Sequence, residues 1–99
     1  MTTEIVLTEK QFMQQVIDLL KLRNWFYYHT HDSRRSVPGF PDIIALKGAR
    51  MLVIELKSEK GQLTWAQKRW FAAFLVACPK AKVRIWRPSD WDEILEATS

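Results

Sequence analysis

Two carboxylates and a lysine flank a stretch that reads as a β-hairpin. Asp42 follows Pro41 and leads into the apolar run Ile43–Lys47, while Glu55 and Lys57 close the run Met51–Leu56. Gly48-Ala49 lies between the runs and reads as a two-residue turn with Gly first. With that turn, Lys47 faces Arg50, Leu46 faces Met51, Ile44 faces Val53 and Asp42 faces Glu55. Strand side chains alternate, so Asp42, Ile44, Leu46, Met51, Val53, Glu55 and Lys57 share one face. Directly opposed carboxylates have Cβ atoms about 5 Å apart and repel each other. A divalent cation between them removes that penalty. Two carboxylates, carbonyl oxygens and water suit Mg²⁺. Such an ion activates water and neutralises charge on a phosphoryl group. Lys57 lies two residues beyond Glu55 on the same side, where it can steady the attacking hydroxide or the phosphorane. For an isolated E-x-K pair the plainer alternative is a strand-end salt bridge of Glu55 with Lys57 or Arg50. A longer turn would make the two acids diagonal neighbours.

The flanking elements must hold this hairpin. Phe12, Met13, Val16, Ile17, Leu19 and Leu20 recur at helical spacing over Glu9–Arg23. Thr8 with Gln11 forms a capping box, and Glu9 suits the first-turn dipole. Trp25–His31 reads as a strand and His31–Phe40 as a polar loop. Thr64 with Gln67 is a second capping box, opening a helix to about Ala77 with Pro79 beyond its end. Lys82–Arg87 reads as a short strand. Pro88-Ser89-Asp90 starts a last helix with Trp91, Ile94 and Leu95 facing inward. The order is α-β-β-β-α-β-α, a mixed sheet with helices against it.

Composition bounds the function. Ninety-nine residues of 11.7 kDa suit a single domain, 1–99. Twelve Lys/Arg against three acids over residues 33–87, with acidic flanks, point to a polyanion partner, most simply nucleic acid. One Cys excludes a disulfide framework within one chain, and Cys78 reads as a buried small hydrophobe. No basic-then-apolar leader and no apolar run of about 20 residues is present, so an intracellular protein without membrane association is expected. Aromatics make up 12% of the chain, more than a small core comfortably buries. Trp65 and Trp70 fall on different sides of the second helix, one expected in the core, the other free to stack or associate.

Pro41-Asp42, twelve residues, then Glu55-Leu56-Lys57 resembles the PD-(D/E)xK nuclease signature. The element order resembles the restriction-endonuclease-like α/β core, with an added C-terminal helix. Within that superfamily the chain resembles the virus-type replication-repair nuclease (VRR-Nuc) domain from about Glu9 to Leu95. The matching stretches are Gly39-Phe40-Pro41-Asp42, Glu55-Leu56-Lys57-Ser58-Glu59, Gly61-Gln62-Leu63-Thr64, Gln67 and Trp86-Arg87-Pro88. The resemblance implies a Mg²⁺- or Mn²⁺-dependent endodeoxyribonuclease. It places Asp42, Glu55 and the Leu56 carbonyl as metal ligands and gives Lys57 the catalytic lysine role. It also points to Glu9 as an acid from the first helix, against plain helix-terminus electrostatics, and to Gln67 as a glutamine near the site. Capping and site duty compete for Gln67, and one rotamer is not expected to serve both.

Arg34 and Arg35, in the loop before Pro41, are candidates to clamp phosphates. Lys60, Lys68 and Arg69 flank the same end and suit nonspecific phosphate contacts. His29, on the strand entering the loop, is a further DNA-binding candidate, and His31 a weaker one. Small VRR-Nuc-like proteins resemble Holliday-junction resolvases, so the expectation is a homodimer on branched DNA in a bacterial or phage-infected cell. The alternatives are a flap or nicking nuclease working with replication or repair proteins, and a noncatalytic DNA-binding module of the same fold.

Overall fold

The computed structural model describes residues 7–30 and 37–99. Helix α1 (Glu9–Leu22) leads into strands β1 (Phe26–His29), β2 (Ile43–Lys47) and β3 (Arg50–Leu56). Helix α2 (Trp65–Ala77), strand β4 (Lys82–Trp86), a 3₁₀ turn (Pro88–Asp90) and helix α3 (Trp91–Ala97) complete the chain. The sheet runs β1-β2-β3-β4, antiparallel except for the parallel β3–β4 pair. This is the restriction-endonuclease-like α/β order expected from the sequence. His31, Arg34 and Arg35 lie outside the described residues.

Both capping boxes form. Thr8 and Thr64 each accept from the backbone of the residue three positions on, and the side chains of Gln11 and Gln67 reach back to the cap N–H groups. The hairpin has the expected register, with Lys47 opposite Arg50 and Ile44 opposite Val53. Gly48 takes φ +59° while Ala49 stays on the ordinary side, the φ pattern of a turn that needs Gly in first place.

One sheet face carries the main core. Phe12, Val16, Ile17 and Leu20 of α1, with Ile94 and Ala97 of α3, pack on Ile43, Ala45, Leu52, Ile54, Leu56 and Trp86. Val53 and Val83 point the other way and are buried apart from that cluster, on the face where α2 lies.

The strand β1 starts later than its aromatic sequence suggests. Asn24 takes φ +64°, and its N–H bonds the Lys21 carbonyl while the Trp25 N–H bonds that of Leu20. This paired closure of α1 is a Schellman motif. It swings Trp25 out of the strand into the core, where its Nε1 donates to the Thr98 carbonyl at 2.9 Å. The Arg50 guanidinium stacks over the same ring and also donates to the Ala97 carbonyl, tying the hairpin to α3.

Two further expectations are corrected. Cys78 is half-buried as the C-cap of α2, not a core residue. Neither tryptophan of α2 is in the core. Trp70 is half-buried against Phe40 and Phe74, and Trp65 is 76% exposed. Helix α2 is half-buried along the face of Ala66, Gln67, Trp70, Phe71 and Phe74 and buries no residue fully. Among the described residues no helix is long and apolar enough to cross a membrane.

Asn24 supplies a direct check on the closure of α1. Asn24→Val should cost about 1–2 kcal/mol, the penalty of a left-handed residue with a β-branched side chain. Asn24→Gly should be neutral or stabilising. Urea denaturation of the three proteins reads the difference.

Candidate active site

The β2–β3 register carries on to place Asp42 opposite Glu55 at the end of the hairpin. Their carboxyl groups approach within hydrogen-bonding reach, a contact that becomes a hydrogen bond only when one holds a proton. Glu55 is just 3% exposed, and its Oε2 is buried without a donor. Burial pushes the Glu55 carboxyl up to about 8, with the Asp42 charge adding to the effect. Burial also raises Asp42, against the lowering effect of the Leu56 N–H, which donates to its Oδ2 at 2.8 Å.

Two side chains steady this pair. Lys57 Nζ stands 3.9 Å from Glu55 Oε1, with only 14% of its side chain exposed. Gln67 Nε2 donates to the same oxygen at 2.9 Å. The Gln67 Oε1 meanwhile accepts from the Thr64 N–H at 2.8 Å. One rotamer therefore serves both the helix cap and the site, which corrects the expectation that the two uses exclude each other. The primary amide has a separate donor and acceptor, and here they point to different partners.

Glu9 is exposed at the start of α1, and its charge is among those that raise Asp42. The helix start thus lies near the pair without joining it. Among the described residues no three His, Cys, Asp or Glu side chains converge into a metal-binding cluster. Two hard carboxylates, one with an oxygen buried and unpartnered, nevertheless fit a small divalent cation that keeps most of its ligands as water. Asp42 and Glu55 would hold it.

Backbone packing sets where Gln67 stands. Gly39 has φ +82°, and a Cβ there would come 2.4 Å from the Ala66 carbonyl carbon and 2.6 Å from the Gln67 nitrogen. The segment before Asp42 thus touches the first turn of α2 through bare backbone. On the other side, Lys57 is fixed from the end of β4. Its N–H bonds the Trp86 carbonyl, Arg87 donates to the Ser58 carbonyl, and Glu59 accepts from both the N–H and the hydroxyl of Ser89. Gly39 and Glu59 were visible in the sequence only as parts of matching stretches; their contacts assign them work.

The VRR-NUC domain model matches residues 3–85 of the chain. The chain belongs to the VRR-NUC family. Its fold is similar to that of Hjc, a Holliday junction resolvase of the archaeal hyperthermophile Archaeoglobus fulgidus, with a TM-score of 0.55 and 23% identity. That likeness covers 78% of this chain and 66% of the resolvase chain, just under two thirds of it. No curated protein sequence matches. Family and fold together identify a nuclease domain of the PD-(D/E)xK type, and membership implies use of a divalent cation.

Other residues singled out in this VRR-NUC domain fall in several places. Leu56 ends β3 beside both carboxylates. Lys60, Lys68 and Arg69 are exposed, on the turn after Lys57 and on the first turns of α2. His29 is half-buried, pairs with Ile43 and stacks near Tyr27 at 6.3 Å between ring centroids. Strand alternation therefore turns it to the α1 face, away from the face of Glu55.

The raised carboxyl makes stability in EDTA depend on pH. Glu55 binds its proton more tightly folded than unfolded, where the ordinary value is 4.5. Its contribution is full below that value and is lost as pH rises through about 8. Glu55→Gln should flatten this fall between pH 5 and pH 9 and exceed wild type in stability at the alkaline end. Chemical denaturation across that range checks it; a wild-type profile as flat as the variant's would refute it.

Proposed function

We propose that this VRR-NUC protein is a Mg²⁺- or Mn²⁺-dependent, structure-specific DNA endonuclease resembling a Holliday-junction resolvase. One observation carries the reading: half-buried Asp42 is held against buried Glu55, with Lys57 beside Glu55. A fold without a cation has little reason to maintain that arrangement, which argues against a noncatalytic binding module.

Asp42 and Glu55, with the Leu56 carbonyl, serve as the ligands. The bound cation supplies a polarised water and neutralises charge on the phosphoryl oxygens. Lys57 holds its ammonium at the position where negative charge builds on the attacked phosphate. Gln67 is a positioning residue that keeps Glu55 in its rotamer. Glu9 adds negative potential near the site and aids cation capture. Lys60, Lys68 and Arg69, with Arg34 and Arg35 of the preceding loop, contribute phosphate contacts that set affinity more than chemistry. The setting is the interior of a bacterial or phage-infected cell, in company with replication or repair proteins.

A cleavage panel of four-way junction, flap, fork, duplex and single strand tests the activity. Cutting is expected only with Mg²⁺ or Mn²⁺, and best on branched DNA. Lys57→Ala should lower the single-turnover rate on the order of 100-fold, the scale of losing one transition-state stabiliser. Its DNA binding in Ca²⁺ should change little. A Lys57→Ala protein cutting at the wild-type rate removes this residue from the mechanism.

Paired incision of a junction needs two sites, and a C2 dimer supplies them. The surface supports such a pairing. On the sheet face shared with Glu55, Phe26 is 79% exposed, and Tyr28 and Leu46 are exposed beside it; Leu75 and Val76 add to the apolar surface on α2. Contiguous apolar patches of this kind mark association sites. Sedimentation equilibrium at micromolar protein should give twice the chain mass. A value near 11.7 kDa at every concentration would favour the flap or nicking nuclease instead.

A further inference from the structure

We propose that the recess between residues 37–38 and α2 is a subsite for one unpaired nucleobase next to the scissile phosphate. The inference rests on the nuclease reading and extends it to what the site selects in DNA.

The recess measures about 460 Å³ and is lined by Val37, Pro38, Ala66, Arg69, Trp70 and Ala73. That is within the range of small-molecule sites. Its walls are apolar, with a large aromatic surface and one cation. Trp70 is fixed there. Its Nε1 donates to the Pro38 carbonyl at 3.2 Å, and Phe40 and Phe74 pack against it at 5.0 and 6.1 Å between ring centroids. A held indole is a stacking platform that needs no ordering when a base arrives.

Position ties the recess to the chemistry. Its two walls adjoin two of the segments that build the site. Pro38 leads through Gly39 to Asp42, and Ala66 precedes Gln67, which holds Glu55. A base seated here belongs to a nucleotide close to the one being cut. Arg69, on the lining, and exposed Lys68 beside it match the charge of that nucleotide's phosphate. Paired and stacked bases present only their edges, so an apolar recess with an aromatic wall accepts a base only out of the helix. Branch points and flaps supply such bases, and intact duplex does so only at the cost of unstacking. The recess thereby converts a local property of branched DNA into binding energy beside Asp42 and Glu55.

The test replaces single unpaired nucleotides of a synthetic flap by abasic residues, one position at a time. Binding is read by fluorescence anisotropy in Ca²⁺. Wild type should lose roughly tenfold in affinity at one or two positions, the scale of one base–aromatic stack. Ala73 is exposed on the helix and lines the recess, so Ala73→Leu places a larger side chain there while Trp70, its partners and the carboxylates stay unsubstituted. It should bind the intact flap about tenfold more weakly and show no further loss on the abasic DNA. Ala73→Ser leaves the space open and should behave as wild type. Equal binding of every abasic substrate by a wild-type protein that cuts the flap in Mg²⁺ overturns the subsite and leaves the nuclease reading intact. Base sensitivity surviving in Ala73→Leu overturns it as well. A changed sedimentation mass for Ala73→Leu assigns the recess to a protein contact and overturns it too. A wild-type protein that cuts no DNA defeats the nuclease reading and the subsite with it.

Discussion

The fold brings a half-buried carboxylate, Asp42, against a buried one, Glu55, and much of the local structure answers to that pairing. Asp42 and Glu55 meet because a two-residue turn leaves no freedom in the hairpin register. Burial raises both, and the Asp42 charge raises Glu55 further. The groups around them offset part of this: the Leu56 N–H on Asp42, and the Gln67 amide and the Lys57 ammonium on Glu55. Each of those groups is in turn fixed by something other than the carboxylate. Gln67 is held by its helix cap and Lys57 by the end of β4. An arrangement held by groups that are themselves fixed needs no side chain gathered before it can accept a cation.

The sheet divides this labour between its faces. The α1–α3 face carries the closed core, including Trp25 and Trp86, and supplies most of the apolar burial. The opposite face carries the carboxylates and is covered only in part by α2. Its exposed Phe26, Tyr28 and Leu46 and the thinly packed α2 are what one face of a stable sheet can tolerate when the other is well filled. Gly39 is the point where this economy shows most plainly. Backbone meets backbone there, so α2 is located accurately with little buried side chain.

Much of this was legible in the residues. Hydrophobic alternation and one Gly at the turn gave the register from Asp42 to Glu55. The Thr8–Gln11 and Thr64–Gln67 spacings marked both helix starts, and Pro79 marked an end. What escaped depended on contacts between distant segments. Trp25 looks like strand sequence, yet a left-handed Asn24 turns it inward because Thr98 waits for its indole N–H. The apolar content of α2 suggested a core tryptophan, but a helix covering only part of its sheet face leaves its apolar residues partly in water. The double duty of Gln67 was invisible because spacing names the residue and not the two ends of its amide. The bond from Glu59 to Ser89 spans thirty positions that no local pattern connects.

That last bond bears on when the site is finished during synthesis. The hairpin with both carboxylates is complete once residue 56 has emerged, and the Gln67 support follows with α2. Lys57 is different, for its backbone and the two residues after it are anchored by Trp86, Arg87 and Ser89. A ribosome-bound chain shorter than this carries the carboxylates but leaves the lysine loop unclamped. Chains grow from the N-terminus, so the last clamp closes only once Ser89 has emerged. A product that stops short of Ser89 therefore has no seated lysine.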